Sequence, residues 1–128
     1  MIFVMPPFMV HKGLTMERWT KFSLCEQLAN VGCDIDRAIR WRDKGDLVAS
    51  RQAFDRALEL LSITLLDPKY HGQKRMRELY RTRELLIDYF VYDNVYKTTD
   101  QIWTNYFWAF SYAAAKQRAN RQLFDKSV

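Results

Sequence analysis

Apolar residues recur along most of the chain at intervals of three and four, the spacing that places them on one side of an α-helix. The segments between Pro7 and Pro68, and after Pro68, contain no proline. Because proline is the commonest helix breaker, the sequence permits long helices almost throughout. No segment shows the alternation of apolar and polar residues that predicts a β-strand. We therefore predict an all-α fold.

Signals for helix ends define the first two helices. Ser23-Leu24-Cys25-Glu26 has the pattern of a capping box, and we predict that the helix it starts ends at Lys44-Gly45. Asp46 is suited to cap a second helix, which should end near Asp67-Pro68. The predicted apolar stripe of the first helix is Leu24, Leu28, Val31, Ile35 and Ala38. That of the second helix is Leu47, Phe54, Leu58, Leu61 and Leu65. The polar side of the second helix carries Arg51, Gln52, Asp55 and Glu59.

Two further helices complete the pattern. The third should run from about Gln73 to Asp93-Asn94, and the fourth should start from a cap at Thr98 or Thr99. The predicted buried residues are Met76, Leu79, Tyr80, Leu86, Ile87 and Phe90 on the third, and Ile102, Trp103, Tyr106, Phe110 and Ala113 on the fourth. The four helices are of similar length and their connections are short, so neighbours should run antiparallel. We predict a four-helix antiparallel bundle with up-down-up-down topology.

The chain divides into an N-terminal arm (1–15), a single helical-bundle domain (16–122) and a C-terminal tail (123–128). The arm lacks helical periodicity and contains Pro6-Pro7, so we expect it to be poorly ordered or to arise from a start site upstream of Met16. Its apolar run has no basic residue before it and is too short to cross a bilayer, which argues against a signal peptide or a membrane anchor.

Cys25 and Cys33 are the only cysteines. Eight residues of helix would separate them by about 12 Å, which is too far for a disulfide. We expect both to be small core residues of a protein in a reducing compartment, and therefore predict a cytoplasmic location.

Composition and charge fit one folded domain with a modest basic excess. Hydrophobic residues make up 48% of the chain and charged residues 27%, enough apolar material for a core. The net charge of +5 at pH 7 favours acidic partners, such as nucleic acid, anionic lipid or an acidic protein face, without choosing among them.

The connection between the first two helices resembles part of a known repeat. Lys44-Gly45-Asp46-Leu47, followed by Phe54 and Ala57, is similar to the middle of a tetratricopeptide repeat, where a glycine-aspartate turn joins two helices. Ser50 and Ser62 replace the alanine and the proline usual at those positions. No second copy follows at the repeat interval, and a stable array needs at least three, so an ordinary helical hairpin is favoured.

Longer segments resemble a family of small helical proteins from prokaryotes for which no activity is established. They are 17–41, with Ser23-Leu24-Cys25-Glu26-Gln27-Leu28-Ala29-Asn30 at its centre, together with 83–90 and Asp93-Asn94. The resemblance covers most of the chain after Met16. It implies a prokaryotic origin and transfers no site residues.

Residue types suited to catalysis are scarce. His11 and His71 are the only histidines, and neither follows a Glu at the three-residue interval of dinuclear metal sites in helical bundles. No arginine precedes either histidine at the spacing that is found before the catalytic histidine of HEPN-type nucleases. The four glycines are isolated, so no phosphate-binding loop is present. We predict no catalytic, metal or cofactor-binding residues and a non-enzymatic protein; a degenerate HEPN-like component of a toxin system is a third hypothesis.

Two groups of basic residues have helical spacing. They are Arg37, Arg40 and Lys44 on the first predicted helix, and Lys74, Arg77 and Arg81 on the third. Such stripes can follow a phosphate backbone, or they can be solvated and compensated by nearby acidic residues. An RNA- or DNA-binding accessory protein is therefore the second hypothesis. Small basic bundles that accompany reverse transcriptases on RNA offer an analogy at the level of fold and charge.

Aromatic residues are concentrated between Tyr89 and Tyr112. On a helix, Trp103, Tyr106, Phe107 and Phe110 take one side while Trp108 and Tyr112 point elsewhere, which is more than one small core can bury. We predict an oligomer or partner interface that includes Trp108, Tyr112 and Phe107. The leading hypothesis is an interaction protein that self-associates, or binds a protein partner, through the fourth helix. We predict no membrane partner.

Overall fold

The computed structural model describes residues 16–126, and its regular secondary structure is entirely helical across that range. Five α-helices pack together: α1 (Met16–Thr20), α2 (Leu24–Asp43), α3 (Leu47–Leu66), α4 (Arg75–Phe90) and α5 (Asp100–Lys126), with a short 3₁₀ helix at Pro68–Tyr70. The prediction of an all-α fold is confirmed. The arm 1–15 lies outside the described residues. Within them, no helix has both the length and the apolar character needed to cross a membrane.

The helix ends follow the capping signals in the sequence. The Ser23 hydroxyl accepts a hydrogen bond from the Glu26 N–H, and the Glu26 carboxylate accepts one from the Ser23 N–H, both at 3.2 Å. Gly45 adopts a positive φ of +84° just after α2, a conformation that glycine takes without a steric penalty. The Asp46 and Thr99 side chains accept backbone N–H groups at the starts of α3 and α5. The predicted capping residues are therefore confirmed.

Helix α2 packs between α3 and α5. The Ser50 hydroxyl, early in α3, donates to the Ala38 carbonyl, late in α2, at 2.7 Å. The Arg42 guanidinium, at the end of α2, donates to Asp100 at the start of α5, at 2.5 Å. Both neighbours therefore run in the opposite direction to α2.

Helix α4 packs against α3 and also touches α5. The Phe90 ring stacks on Phe54 of α3 at 4.7 Å between centres, and the Thr82 hydroxyl donates to the Tyr106 hydroxyl of α5 at 3.1 Å. Helix α4 also meets α2, where Arg42 donates to the Tyr89 hydroxyl at 3.0 Å.

The core contains a residue from outside the predicted helices. Trp19, on the short α1, is only 2% exposed, and its indole N–H donates to the Thr64 hydroxyl of α3 at 3.0 Å. The amphipathic stripes account for most other buried residues, among them Leu28, Val31, Ile35, Phe54, Leu58, Leu61, Leu79, Leu86 and Trp103.

Several predicted faces are wrong in detail. Leu47, Tyr80 and Ile102 are exposed rather than buried. Tyr80 follows Leu79, and since successive helical residues point about 100° apart, only Leu79 faces α3 and α5. Glu59 is buried rather than exposed, because α3 is covered around its circumference from residue 57 to residue 65. Helix α5 also extends to Lys126, so residues 123–126 continue the helix instead of forming a tail.

Gly32 lies where α2 approaches Phe107 of α5. A Cβ at this position would be 2.5 Å from the Phe107 Cβ, which is fixed to the α5 backbone and cannot rotate away. Alanine is favoured over glycine inside a helix by about 1 kcal/mol, whereas overpacking costs about 1 to 3 kcal/mol. We therefore expect Gly32→Ala to lower the free energy of unfolding by about 1 kcal/mol net in urea denaturation. Cys33→Ala, at the exposed neighbouring position, is the control; a gain in stability for Gly32→Ala would contradict this close contact.

Candidate functional site

Within residues 16–126, no group of three or more His, Cys, Asp or Glu side chains is placed to hold a metal ion. The candidate sites are therefore surfaces. Two of them carry the residues that the sequence predicted: the outward faces of α2 and α5, and the outward face of α4.

The basic stripe of α2 is compensated by acidic residues of the same helix. The Arg37 guanidinium donates to Asp34 at 3.0 Å, and Arg40 forms an ion pair with Asp36. Lys44 is exposed at the end of the helix. The two arginines therefore present little uncompensated positive charge to an anionic partner.

The basic stripe of α4 has a different environment. Lys74, Arg77 and Arg81 are all exposed, and within the described part of the chain none of them forms an ion pair. The guanidinium carbon of Arg81 lies 5.2 Å from the centre of the Tyr96 ring. The two predicted stripes lie on different helices, and the hydrogen bond between α2 and α4 joins Arg42 to Tyr89, which belong to neither stripe.

Tyr96 belongs to the loop between α4 and α5, which a buried carboxylate holds in place. The two oxygens of Asp88 accept the backbone N–H groups of Val95 and Tyr96 at 3.0 and 3.1 Å. Asn94 and Lys97 adopt positive φ angles of +52° and +54°, which side-chain-bearing residues adopt at a cost. The loop thus fixes the Tyr96 backbone beside the basic stripe, an arrangement that the sequence analysis missed.

Trp108 and Tyr112 form an exposed pair on α5. Their side chains are 63% and 60% exposed, and the rings stack with centres 5.4 Å apart and planes at 18°. Phe107, predicted to share this surface, is only 4% exposed and packs against Gly32. It points about 100° away from Trp108 on the same helix and lines the groove described next, so its place in an interface stays a prediction.

A groove of about 210 Å³ lies between α2 and α5, with Trp108 at its edge. Its apolar floor consists of Ile35, Ile39, Trp103 and Phe107, and Cys33 and Asp36 also line it. Cys33 is exposed, which corrects its predicted place in the core. We call this groove, together with Trp108, Tyr112 and Arg40, the α2–α5 face.

A polar cluster joins the end of α2 to the start of α5. Arg42 donates to the Tyr89 hydroxyl at 3.0 Å and to Asp100 at 2.5 Å, and Tyr89 donates to Asp100. The hydrogen bond with Asp100 raises the pKa of Arg42, although partial burial acts in the opposite direction. Since these charges satisfy one another, the cluster fastens α5 to α2.

Comparison of the chain with protein-family models, with curated proteins and with solved structures finds no match in any of the three.

Proposed function

We propose that the protein is a non-enzymatic interaction protein that forms a dimer through the α2–α5 face. The observation that carries this proposal is the exposed, stacked pair of Trp108 and Tyr112 beside an apolar groove. Aromatic side chains bury large apolar areas on association, and rings that are already packed together lose little conformational freedom when a partner binds.

We also propose that α2 to α5 form an antiparallel four-helix bundle in up-down-up-down order, with α1 as an addition at its start. The head-to-tail contacts of α2 with α3 and with α5 support this arrangement. The contacts of α4 with its neighbours, Phe90 with Phe54 and Thr82 with Tyr106, fit the same order. In such a bundle, α2 and α5 are adjacent and their shared face points outward.

A second copy of the chain suits this face because the face carries matching groups. Asp36 and Arg40 place opposite charges at the groove, next to the apolar rings. In a dimer with a twofold axis the same patch meets itself, so each acidic group can lie near the basic group of the other copy. Asp36 and Arg40 pair with one another within one copy, and an exchange of these partners between two copies would keep both charges paired.

The size of the face sets the expected affinity. The 20 residues of α2 span about 30 Å, and at the usual helix spacing α2 and the adjoining part of α5 present about 600 Å² of surface. Stable complexes bury about 800 Å² on each partner. We therefore expect a reversible dimer whose population depends on concentration, rather than an obligate one.

Trp108→Glu should convert this dimer to a monomer without unfolding it. The substitution places a charge in the centre of the apolar contact, where it would have to lose its water on association. Sedimentation velocity should show a dimer for the wild type and a monomer for the variant at the same high micromolar concentration, with unchanged circular dichroism. Tyr80→Glu changes an exposed aromatic residue outside the face and should leave the dimer intact. A wild-type protein that is monomeric at that concentration contradicts the proposal.

The reactivity of the Cys33 thiol gives an independent test of dimer formation without a substitution in the α2–α5 face. Since it lines the groove, its reaction with a maleimide should slow as the protein concentration rises. A Cys25→Ser background leaves Cys33 as the single thiol. The rate should not depend on concentration when Trp108→Glu is added.

A further inference from the structure

We infer that the outward face of α4 and the Tyr96 loop bind single-stranded nucleic acid, with Lys74, Arg77 and Arg81 on phosphates and Tyr96 against a base. We call these four residues the α4 surface. The inference is independent of self-association, because the α4 surface shares no residue with the α2–α5 face.

Arg75 of α4 pairs with Glu78, but the three cations of the α4 surface differ from the paired arginines of the other helices. Arg37 and Arg40 on α2, and Arg51 on α3, each pair with an aspartate three or four residues away. Lys74 and Arg77 have no such partner within the described residues, and the contact recorded for Arg81 is with an aromatic ring. These cations have given up no hydration or entropy to an internal ion pair, so they are free to bind a phosphate.

The three cations form a line. Residues three and four apart on a helix are neighbours, with about 5 to 6 Å between their Cβ atoms. Lys74, Arg77 and Arg81 therefore present positive charge over two successive turns, which suits a linear series of phosphates. Glu78 lies on the same helix, four residues after Lys74 and three before Arg81, and its carboxylate forms an ion pair with Arg75 at 3.3 Å. Glu84, three residues beyond Arg81, is exposed.

The aromatic part of the surface is fixed in place. Tyr96 is 56% exposed although Arg81 lies over its ring, so much of the ring remains accessible. Asp88 binds the Tyr96 backbone, and the positive φ angles of Asn94 and Lys97 bracket this residue. Strained backbone persists only where the surrounding structure enforces it, and here the result is a fixed Tyr96 backbone whose ring contacts Arg81, next to a row of cations.

This combination selects one class of ligand. Cations alone would serve any polyanion, but a fixed aromatic ring beside them matches a ligand with alternating phosphates and flat bases. The bases of a duplex are already stacked on one another, whereas those of a single strand are available to the tyrosine. A single-stranded RNA or DNA meets both requirements.

The test is fluorescence anisotropy with a labelled oligouridine of about 12 nucleotides, within the usual footprint of such sites. Three phosphate contacts on a single strand predict a slope of log affinity against log salt of about −2, or a loss of about 20-fold between 50 and 200 mM salt. Arg77→Glu with Arg81→Glu should weaken binding at least about tenfold and reduce the slope to about −0.7. The matched control, Arg37→Glu with Arg40→Glu on α2, should stay within about twofold of the wild type, since its charges are already paired.

Tyr96 provides the second arm of the experiment. Tyr96→Leu should lower the affinity for the oligouridine about fivefold or more. Tyr96→Phe should bind like the wild type, because stacking uses the ring and not the hydroxyl. Glu84→Gln should bind more tightly, since it removes an exposed negative charge one turn beyond Arg81. Circular dichroism and thermal unfolding of each variant verify that the fold is retained.

Four results would overturn the inference. One is an absence of binding at 50 mM salt, and another is an equal loss in the α2 control. The third is equal affinity for a duplex of the same length, which would remove the role of Tyr96. The fourth is equal competition by polyglutamate, which would assign the surface to an acidic protein instead.

Discussion

Trp19→Ala should lower the free energy of unfolding by about 3 to 5 kcal/mol, the range observed when a large aromatic side chain is removed from a core. Trp19 is buried between α1 and α3, and the Phe22 ring meets it edge-on at 5.9 Å. The substitution also removes the indole donor from the Thr64 hydroxyl, which lies in a fully buried position. A five-residue helix cannot hold itself together in water, so α1 depends on this contact.

The same residue type at an exposed position gives the control. Trp108→Ala should change the free energy of unfolding by no more than about 0.5 kcal/mol, measured on the monomer at low protein concentration. Urea denaturation followed by circular dichroism at 222 nm compares both variants with the wild type. A cost for Trp19→Ala below about 1 kcal/mol would mean that α1 is not part of the core.

Asp88→Ala should lower the free energy of unfolding by about 3 kcal/mol or more. Hydrogen bonds to a charged acceptor contribute about 1.5 to 3 kcal/mol each, and this carboxylate accepts two. The backbone N–H groups of Val95 and Tyr96 would lose their acceptor. Asn94 would keep its side-chain hydrogen bonds with Thr98, so the loop should relax around Val95 and Tyr96 as well as lose stability.

Hydrogen exchange locates this effect. The amide protons of Val95 and Tyr96 should exchange much faster in Asp88→Ala, whereas those in the middle of α2 should change only in proportion to global stability. Asp93→Ala, an exposed carboxylate only a few residues away, should change neither the stability nor the exchange rates. Unchanged protection of Tyr96 in Asp88→Ala would show that the loop keeps its conformation without the carboxylate.

Local chemistry explains which parts of the fold were predictable. Capping residues such as Ser23, Asp46 and Thr99 act on backbone groups three residues away, so the sequence contains the whole interaction. Helix α1 was missed because five residues are too few to display a period, and Trp19 becomes a core residue only by reaching Thr64, 45 positions away. Burial of Glu59 likewise depends on the elements that cover α3, which no pattern within α3 indicates.

The candidate surfaces divide in the same way. Helical geometry alone predicted that Trp108 and Tyr112 lie outside the core. The burial of Phe107 depends on its contact with Gly32 on a second helix. The sequence indicated the helical spacing of the α4 cations, but it did not indicate that they lack carboxylate partners among the described residues. Tyr96 reaches Arg81 only because the chain turns back at Asn94 and Lys97, and a lysine gives no sequence signal for a positive φ.

The α4 surface and the α2–α5 face share no residue, which has a consequence for valency. In a dimer joined through the α2–α5 face, each copy would contribute its own α4 surface. A strand long enough to reach both would bind the second site at a high effective concentration, so its apparent affinity would rise with length far beyond that of a short oligomer. Trp108→Glu would abolish this dependence on length while leaving the affinity for a short oligouridine unchanged.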